Sequence, residues 1–237
     1  MELRRGPHGI VRVGHRGAAA LAPENSLAAI EAAAAHEVDA VELDVLRIAD
    51  GSLALAHGPE VALGSPSLDA GLALAARLRL GVQVDVKDGG FEADVVEALR
   101  RHDLLGQSFV SSCSLAVLAA FAACEPELPR SFTYPEDRLG IAGSRLLRPT
   151  LRPGLAVLRA LLPRRLPAWL RAAGASAATL NWAVVTPAAI EACHRTGAAV
   201  YVWTVNEAAL ARTLAESNID GIITDDPRIL PRGIGTS

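Results

Sequence analysis

Residues 40–45 read Ala40-Val41-Glu42-Leu43-Asp44-Val45, an apolar run interrupted by two carboxylates. Such a run is typical of a buried strand, and residues two apart on a strand project from the same face. Two further apolar runs end at His15-Arg16 and at His57. Polar side chains at the ends of buried strands point out of the sheet, where ligands bind. We therefore expect these polar groups to share one edge of a sheet.

The rest of the chain alternates apolar runs with amphipathic, alanine-rich segments. This alternation predicts parallel strands joined by crossover helices. The predicted strands are Ile10–Gly14, Ala40–Val45, Gly81–Lys87, Ser108–Ser112, Arg130–Tyr134, Ala177–Asn181, Ala199–Val205 and Gly221–Thr224. The predicted helices include Ser26–His36, Phe91–His102, Pro187–Arg195 and Glu207–Ser217. Eight strand–helix units indicate an α/β fold, a (β/α)8 TIM-type barrel, with residues 1–237 as a single domain.

Individual residues also predict helix caps and a turn within this barrel. Ser26 and Asn206 are the expected N-caps of the helices that follow them. Asp50-Gly51 predicts a turn after the second strand, followed by a short extra strand over Leu53–His57. A doubly wound open sheet is the alternative fold, but no Gly-x-Gly-x-x-Gly motif opens a helix.

Composition narrows the class of protein. Hydrophobic residues make up 51% of the 237 residues, but alanine supplies much of this fraction and no apolar run reaches the roughly 18 residues of a spanning helix. The net charge of −3 argues against a nucleic-acid partner. The N-terminal residues show no apolar signal segment, so we expect a soluble, cytoplasmic protein. Three cysteines, interpreted as buried small hydrophobes, lack the spacing of a disulfide framework or metal site: Cys113, Cys124 and Cys193.

Positive charge is concentrated in an arginine- and leucine-rich stretch over residues 138–171. No acidic residue lies between Asp137 and Glu191, whereas the stretch carries eight arginines. One interpretation is a pair of barrel helices with arginine on the solvated side, and the other is a surface for weak contact with anionic lipid or phosphate. Four prolines predict that the stretch is broken into short helices: Pro149, Pro153, Pro163 and Pro167.

The paired carboxylates Glu42 and Asp44 suggest a cation site. Two carboxylates at so short a distance repel each other, and a cation between them would remove this repulsion. An all-oxygen ligand set selects a hard ion, Mg²⁺ or Ca²⁺. The alternative is an ion pair with Arg16 or Arg47. Asp85 and Lys87 repeat this same-face spacing on the next parallel strand, so Asp85 would bring a third carboxylate to the same height.

Basic groups and imidazoles surround these carboxylates in the predicted barrel. Lys87 is the only lysine among 23 lysine and arginine residues, and its compact ammonium suits a phosphate oxygen. Arg16 adds a bidentate phosphate donor. His15 and His57 each follow an apolar run beside glycine, which would let a substrate approach the backbone, and two histidines serve as general acid and base. Together these groups indicate phosphoryl chemistry, and hydrolysis is favoured because no nucleotide motif accompanies them.

These residues lie within motifs that span the chain. The motifs are Gly14-His15-Arg16-Gly17, Pro23-Glu24-Asn25-Ser26, Glu42-Leu43-Asp44-Val45, Asp50-Gly51, His57, Tyr201-Val202-Trp203-Thr204-Val205-Asn206 and Asp220-Gly221-Ile222-Ile223-Thr224-Asp225-Asp226-Pro227. In this order they resemble the glycerophosphodiester phosphodiesterase family. The resemblance implies a barrel that hydrolyses glycerophosphodiesters to sn-glycerol 3-phosphate and an alcohol with one divalent cation. It assigns His15 and His57 as general acid and base, Glu42, Asp44 and Asp85 to the metal, Arg16 and Lys87 to the phosphate, and Trp203 to the substrate pocket.

Three features depart from the family pattern. Asp85 stands where the family usually has a glutamate, so the cation must shift, gain a water or lose this ligand. The family's His-Asp pair is replaced by His57-Gly58, which removes a carboxylate that could orient the imidazole. The segment between His57 and Asp85 is shorter than in many relatives, which would open the site to a bulkier head group or a lipid.

Other functions are compatible with this pattern. A phospholipase D-like or lysophospholipase activity would use the open site and the arginine-rich stretch. A non-catalytic barrel that binds a phosphodiester or a metal would account for Gly58 and Asp85. A metal-dependent sugar isomerase would also place acids and histidines on a barrel rim, but has less use for His15-Arg16. The residues do not choose between direct attack by water and a cyclic phosphate intermediate.

Overall fold

Eight parallel strands close into a barrel in the computed structural model, which describes residues 3–6, 9–58, 64–135 and 148–231, with backbone alone for 148–153. The strands are β1 Val11–Gly14, β2 Ala40–Arg47, β4 Gly81–Val86, β5 Ser108–Ser112, β6 Arg130–Tyr134, β7 Ala177–Asn181, β8 Ala199–Trp203 and β9 Gly221–Thr224, with the short β3 Leu53–Leu55 antiparallel to β2. Closure comes from β1, which pairs with both β2 and β9. The predicted TIM-type fold and the extra strand are confirmed. The prediction of a single domain over residues 1–237 stays a prediction.

Seven helices of the described residues surround the barrel. They are α1 Leu27–Ala35, α2 Leu68–Arg77, α3 Glu92–Arg101, α4 Leu115–Cys124, α5 Arg148–Ala173, α6 Pro187–Arg195 and α7 Ala208–Glu216. Ser26 is the N-cap of α1, as predicted, and its hydroxyl accepts from the Ala29 amide at 3.1 Å. The prediction for Asn206 is wrong, because Glu207 precedes α7 and the Asn206 side chain bonds instead to Asp225.

The strands alternate between two environments. Outward side chains such as Val41, Leu43 and Val45 are buried against the helices. Inward side chains differ along the barrel axis. At the N-terminal ends of the strands, Phe109 and Tyr201 pack with ring centroids 5.3 Å apart and fill the interior. The carboxylates lie toward the opposite end, where ligands bind in this fold.

The predicted break-up of the arginine-rich stretch is wrong, because α5 runs as one helix from Arg148 to Ala173. Leu162, Leu166 and Leu170 are buried at four-residue spacing, and this packing holds the helix despite its prolines. Four arginines of the described side chains are exposed on it: Arg159, Arg164, Arg165 and Arg171. Arg138 and Arg145 lie outside the described residues, as do the side chains of Arg148 and Arg152.

The cysteines are not uniformly buried: Cys193 is buried, Cys113 is intermediate and Cys124 is exposed, because Cys124 is the last residue of α4. None of the helices in the described part of the chain has the length and apolar character that crossing a bilayer requires.

Candidate active site

Three carboxylates from neighbouring strands converge inside the mouth of the barrel. Glu42 and Asp44 project inward from β2, and Asp85 on β4 is the register partner of Asp44. Their ligand oxygens lie within 4.8 Å of one another. Glu42 is 4% exposed and Asp44 is 3% exposed, so water screens their charges poorly.

The protein only partly compensates this negative charge. Burial raises the pKa of Glu42 to about 7, and the charge of Asp44 adds to the effect. Burial also raises the pKa of Asp85, against the opposing charge of Lys87. A buried carboxylate whose ionised form is disfavoured gains from a nearby cation. The all-oxygen donor set therefore fits a hard divalent ion.

Asp44 is the carboxylate that the protein neutralises. The Lys87 ammonium contacts its Oδ1, and Arg16 Nε lies 2.9 Å from its Oδ2 as an ion pair without the alignment of a hydrogen bond. Burial opposes ionisation of Asp44, but the charges of Lys87 and Arg16 hold its pKa well below the usual value. The alternative of an ion pair with Arg16 is thus realised for Asp44, whereas Arg47 pairs with Asp94.

His15 follows β1 directly and faces the carboxylates from one side. Its Nδ1 lies 2.6 Å from Oδ1 of Asp225, and its Nε2 lies 3.9 Å from Oε2 of Glu42. Because an ionised carboxylate only accepts, the hydrogen of neutral His15 belongs on Nδ1 and Nε2 is left as an acceptor. Burial lowers the pKa of His15, but the hydrogen bond to Asp225 and the charge of Glu42 outweigh it and raise the pKa above 6.5.

His57 lies at the mouth among basic groups, with its side chain 46% exposed. Its Nδ1 is 2.8 Å from a terminal nitrogen of Arg16, 3.1 Å from Lys87 Nζ and 3.2 Å from Oδ2 of Asp44. Arg16 and Lys87 are donors only, so Nδ1 of neutral His57 accepts and the hydrogen resides on Nε2. The donors of Arg16 and Lys87 thereby orient the imidazole, a role that Gly58 cannot fill.

Two glycines shape the loop that carries His15 and Arg16. A side chain at Gly14 would begin 2.0 Å from the Gly17 carbonyl oxygen, and one at Gly17 would begin 2.6 Å from the Ala29 backbone. Gly17 also has φ +85° and Arg16 has φ +50°. These glycines therefore serve close packing of the loop on α1, and their role in admitting substrate to the backbone stays a prediction.

The sequence matches the model of the glycerophosphoryl diester phosphodiesterase family over residues 15–69 and 82–229. These two ranges include every site residue predicted from the sequence. The chain belongs to the glycerophosphoryl diester phosphodiesterase family. It is accordingly a phosphoric diester hydrolase, and the resemblance of its motifs is confirmed.

Relatives of this phosphodiesterase share its length and fold. A glycerophosphodiester phosphodiesterase of Caldanaerobacter subterraneus is 24% identical over 238 residues, which cover 92% of this chain and 95% of the relative. The crystal structure of a glycerophosphodiester phosphodiesterase from Agrobacterium tumefaciens is similar with a TM-score of 0.70 and 27% identity, covering 93% and 98% of the two chains. A phosphodiesterase of Oleispira antarctica, solved with the product sn-glycerol-3-phosphate, is similar in fold with a TM-score of 0.69, 18% identity and 93% and 94% coverage.

The structure of this phosphodiesterase brings most of the predicted site residues into mutual contact. The three carboxylates, Arg16, Lys87, His15 and His57 form the connected group described above. Trp203 lies apart from these contacts, at the C-terminal end of β8, where its indole Nε1 donates to the Thr179 carbonyl at 3.3 Å. Its place in a substrate pocket stays a prediction.

Several partners of the site residues were not predicted, among them Asp225, Asn25 and Ser111. Asp225 orients His15 and is itself held by Asn206, and it could have been found because it follows the last strand. Asn25 binds Asp44 twice, donating to Oδ2 and accepting from the backbone amide, each at 3.1 Å. Ser111 donates to Asp85 Oδ1 at 2.6 Å, and its inward position follows from strand alternation.

Proposed function

We propose that this phosphodiesterase hydrolyses glycerophosphodiesters to sn-glycerol 3-phosphate and an alcohol. The observation that carries the proposal is the juxtaposition of a buried acidic cluster, Glu42, Asp44 and Asp85, with a basic rim of Arg16 and Lys87. The acidic cluster suits a cation and the basic rim suits a phosphodiester, so a substrate phosphate would fit between the cluster and the rim. The product bound in the Oleispira antarctica phosphodiesterase belongs to the same class of molecule.

The cation in this proposal is one Mg²⁺ or Ca²⁺, held by the three carboxylates. When bound, it would polarise a phosphoryl oxygen and neutralise charge that develops in the transition state. Arg16 and Lys87 would bind the remaining phosphate oxygens, since both present donors at the mouth. Their present contacts with Asp44 hold them in place for this role.

The two histidines would move the protons. His15 Nε2 is the free acceptor, so His15 would take the proton of the attacking hydroxyl, and the Asp225 carboxylate would stabilise the resulting imidazolium. His57 carries its hydrogen on Nε2, so it would donate that proton to the leaving alkoxide oxygen. The attacking group is either water or a neighbouring glycerol hydroxyl, which would give a cyclic phosphate first. Trp203 would line the pocket for the glycerol moiety.

A coupled assay for glycerol 3-phosphate release tests this function. Across a panel of soluble glycerophosphodiesters, we expect activity that EDTA abolishes and that added Mg²⁺ or Ca²⁺ restores. Asp44→Asn should lower kcat by at least about 100-fold, because it weakens both the cation site and the hold on Arg16 and Lys87. Asp94→Asn is the matched control, since Asp94 pairs with Arg47 on the outer surface. Activity that is indifferent to EDTA and to Asp44→Asn would refute the proposal.

A lipid substrate is the second candidate, and the exposed arginines of α5 favour it. Arg159, Arg164, Arg165 and Arg171 are exposed on a helix in a stretch without acidic residues. Such a surface attracts anionic lipid, and a phospholipase D-like or lysophospholipase activity would follow. Flotation with anionic vesicles and release of product from lysophospholipid test it. Absence of vesicle binding, together with full activity on glycerophosphocholine, would exclude it.

A further inference from the structure

The Asp85 carboxylate is held by a row of two buried side chains that are linked by hydrogen bonds. Ser111 Oγ donates to Oδ1 of Asp85 at 2.6 Å, and Gln83 Nε2 donates to the same Ser111 Oγ at 2.9 Å. Ser111 and Gln83 are 0% and 1% exposed. The backbone places them together, because Gln83 and Asp85 are two apart on β4 and Ser111 on β5 is the register partner of Asp85.

The hydrogen bonds along this row have a fixed direction. A serine hydroxyl has a single hydrogen, and the amide of Gln83 donates to the hydroxyl oxygen, so the hydrogen of Ser111 is free to point at Asp85. Oδ1 of Asp85 is thereby occupied. Oδ2 lies 3.4 Å from Lys87 Nζ, the group that also contacts Asp44. The oxygen of Asp85 that Ser111 does not bind therefore lies beside Lys87, which also contacts Asp44.

We propose that Ser111 and Gln83 are positioning residues that fix the Asp85 carboxylate with one oxygen toward the cation. This inference rests on the proposed function, because it requires a cation among the three carboxylates. An aspartate has a shorter reach than the glutamate that the resemblance leads one to expect, so its orientation matters more for cation affinity. Side chains that orient metal ligands typically contribute 10- to 100-fold to metal affinity or activity.

Direct measurement of cation binding tests the inference. Isothermal titration calorimetry with Ca²⁺ and with Mg²⁺ should show an affinity about 10-fold lower for Ser111→Ala than for wild type. Ser131→Ala is the matched control. Ser131 is the register partner of Ser111 on β6, it is equally buried, and its hydroxyl pairs with Thr179 at 2.7 Å. Its removal should change cation affinity by less than about twofold.

Two more variants separate orientation from packing. Ser111→Thr keeps the hydroxyl and should bind the cation with about wild-type affinity, while Gln83→Leu should weaken binding by a smaller factor than Ser111→Ala. Should Ser111→Ala fail to fold by circular dichroism, Gln83→Leu and Ser111→Thr decide the question. Equal affinities for wild type, Ser111→Ala and Gln83→Leu would overturn the inference, as would equal losses in Ser111→Ala and Ser131→Ala.

The same titration separates the two proposals. If wild type binds cation and the EDTA assay behaves as expected while Ser111→Ala is unchanged, only the positioning role is wrong. If wild type binds neither Ca²⁺ nor Mg²⁺, the proposed function and the inference fail together.

Discussion

The two ends of the barrel each pair a carboxylate with a histidine, but they use the pair differently. At the N-terminal end, Asp220 is 1% exposed and accepts from the Val200 amide and from His194 Nε2, each at 2.8 Å, and from the Arg5 amide at 3.1 Å. At the mouth, Asp225 holds His15 at 2.6 Å, and the opposite nitrogen of His15 faces Glu42.

The difference lies in what remains uncompensated. Among the described residues, the polar partners found for Asp220 are all donors, so this carboxylate is satisfied within the protein and stabilises the fold. Glu42 has the backbone amide of Arg16 at 2.9 Å, but it also faces Asp44 and Asp85. The N-terminal end, where protein donors satisfy the buried carboxylate, contributes stability. The mouth, where buried carboxylates are left for a ligand to neutralise, contributes function.

The largest expected effect is on catalysis and separates the two histidines. His15→Ala should lower kcat by about 10²- to 10⁴-fold, because it removes the proton acceptor of the proposed mechanism. His194→Ala should leave kcat within about twofold and lower the free energy of unfolding by about 1–2 kcal/mol, because it removes one donor to Asp220. Steady-state kinetics and denaturant unfolding of both variants measure this. Comparable kcat losses in the two variants would contradict the distinction.

The second effect is on stability and should have opposite signs at the two ends. The pKa of Glu42, about 7 in the fold, lies above the ordinary 4.5. Between these pH values the metal-free folded protein binds more protons than the unfolded chain, so its stability falls as the pH rises. Glu42→Gln removes this fall and should stabilise the protein in EDTA above pH 7 by about 3 kcal/mol.

Asp220→Asn is the counterpart at the other end and should destabilise the protein by about 2 kcal/mol, because it removes acceptor capacity from buried donors. Thermal unfolding against pH, in EDTA and in excess Ca²⁺, measures both variants. Saturating Ca²⁺ should reverse the advantage of Glu42→Gln, because the variant loses part of the cation site. A wild-type protein that is stabilised from pH 5 to pH 7 in EDTA relative to Glu42→Gln would disprove this reasoning.

The smallest expected effect concerns only the N-terminal end of the barrel. Tyr201 is buried, and its hydroxyl donates to the Leu3 carbonyl at 3.0 Å. Tyr201→Phe should lower the free energy of unfolding by about 1 kcal/mol, because it leaves that carbonyl without this donor, and should not change kcat. Chemical denaturation and the coupled assay check the two halves of this expectation. A changed kcat would mean that the interior transmits packing changes to the mouth.

Sequence patterns predicted the barrel and the carboxylates at its mouth for a physical reason. Strand alternation places Glu42, Asp44 and Asp85 on the inner face, and parallel strands bring their ends to one edge. The continuous α5 was not predictable from the local signal, because proline disfavours a helix interior and only the burial of Leu162, Leu166 and Leu170 shows what holds it. Tertiary packing outweighed local propensity there.

Partners of the site residues were harder to predict than the site residues themselves. Asn206 has the residue type of an N-cap, and nothing nearby in sequence shows that it would bond to Asp225 instead. The contact between Ser111 and Asp85 depends on the register of β4 against β5. Such pairings are set by the closed sheet, so a single sequence predicts that these residues point inward but not which of them touch.

The pairing of His15 with Asp225 also bears on how the molecule acquires activity. The two residues are 210 positions apart, and they meet only because β1 pairs with β9 to close the barrel. A growing or refolding chain therefore carries an unoriented His15 until the last strand docks. Partly folded intermediates should be catalytically silent even when most strands have formed, so the appearance of activity during refolding should report on barrel closure.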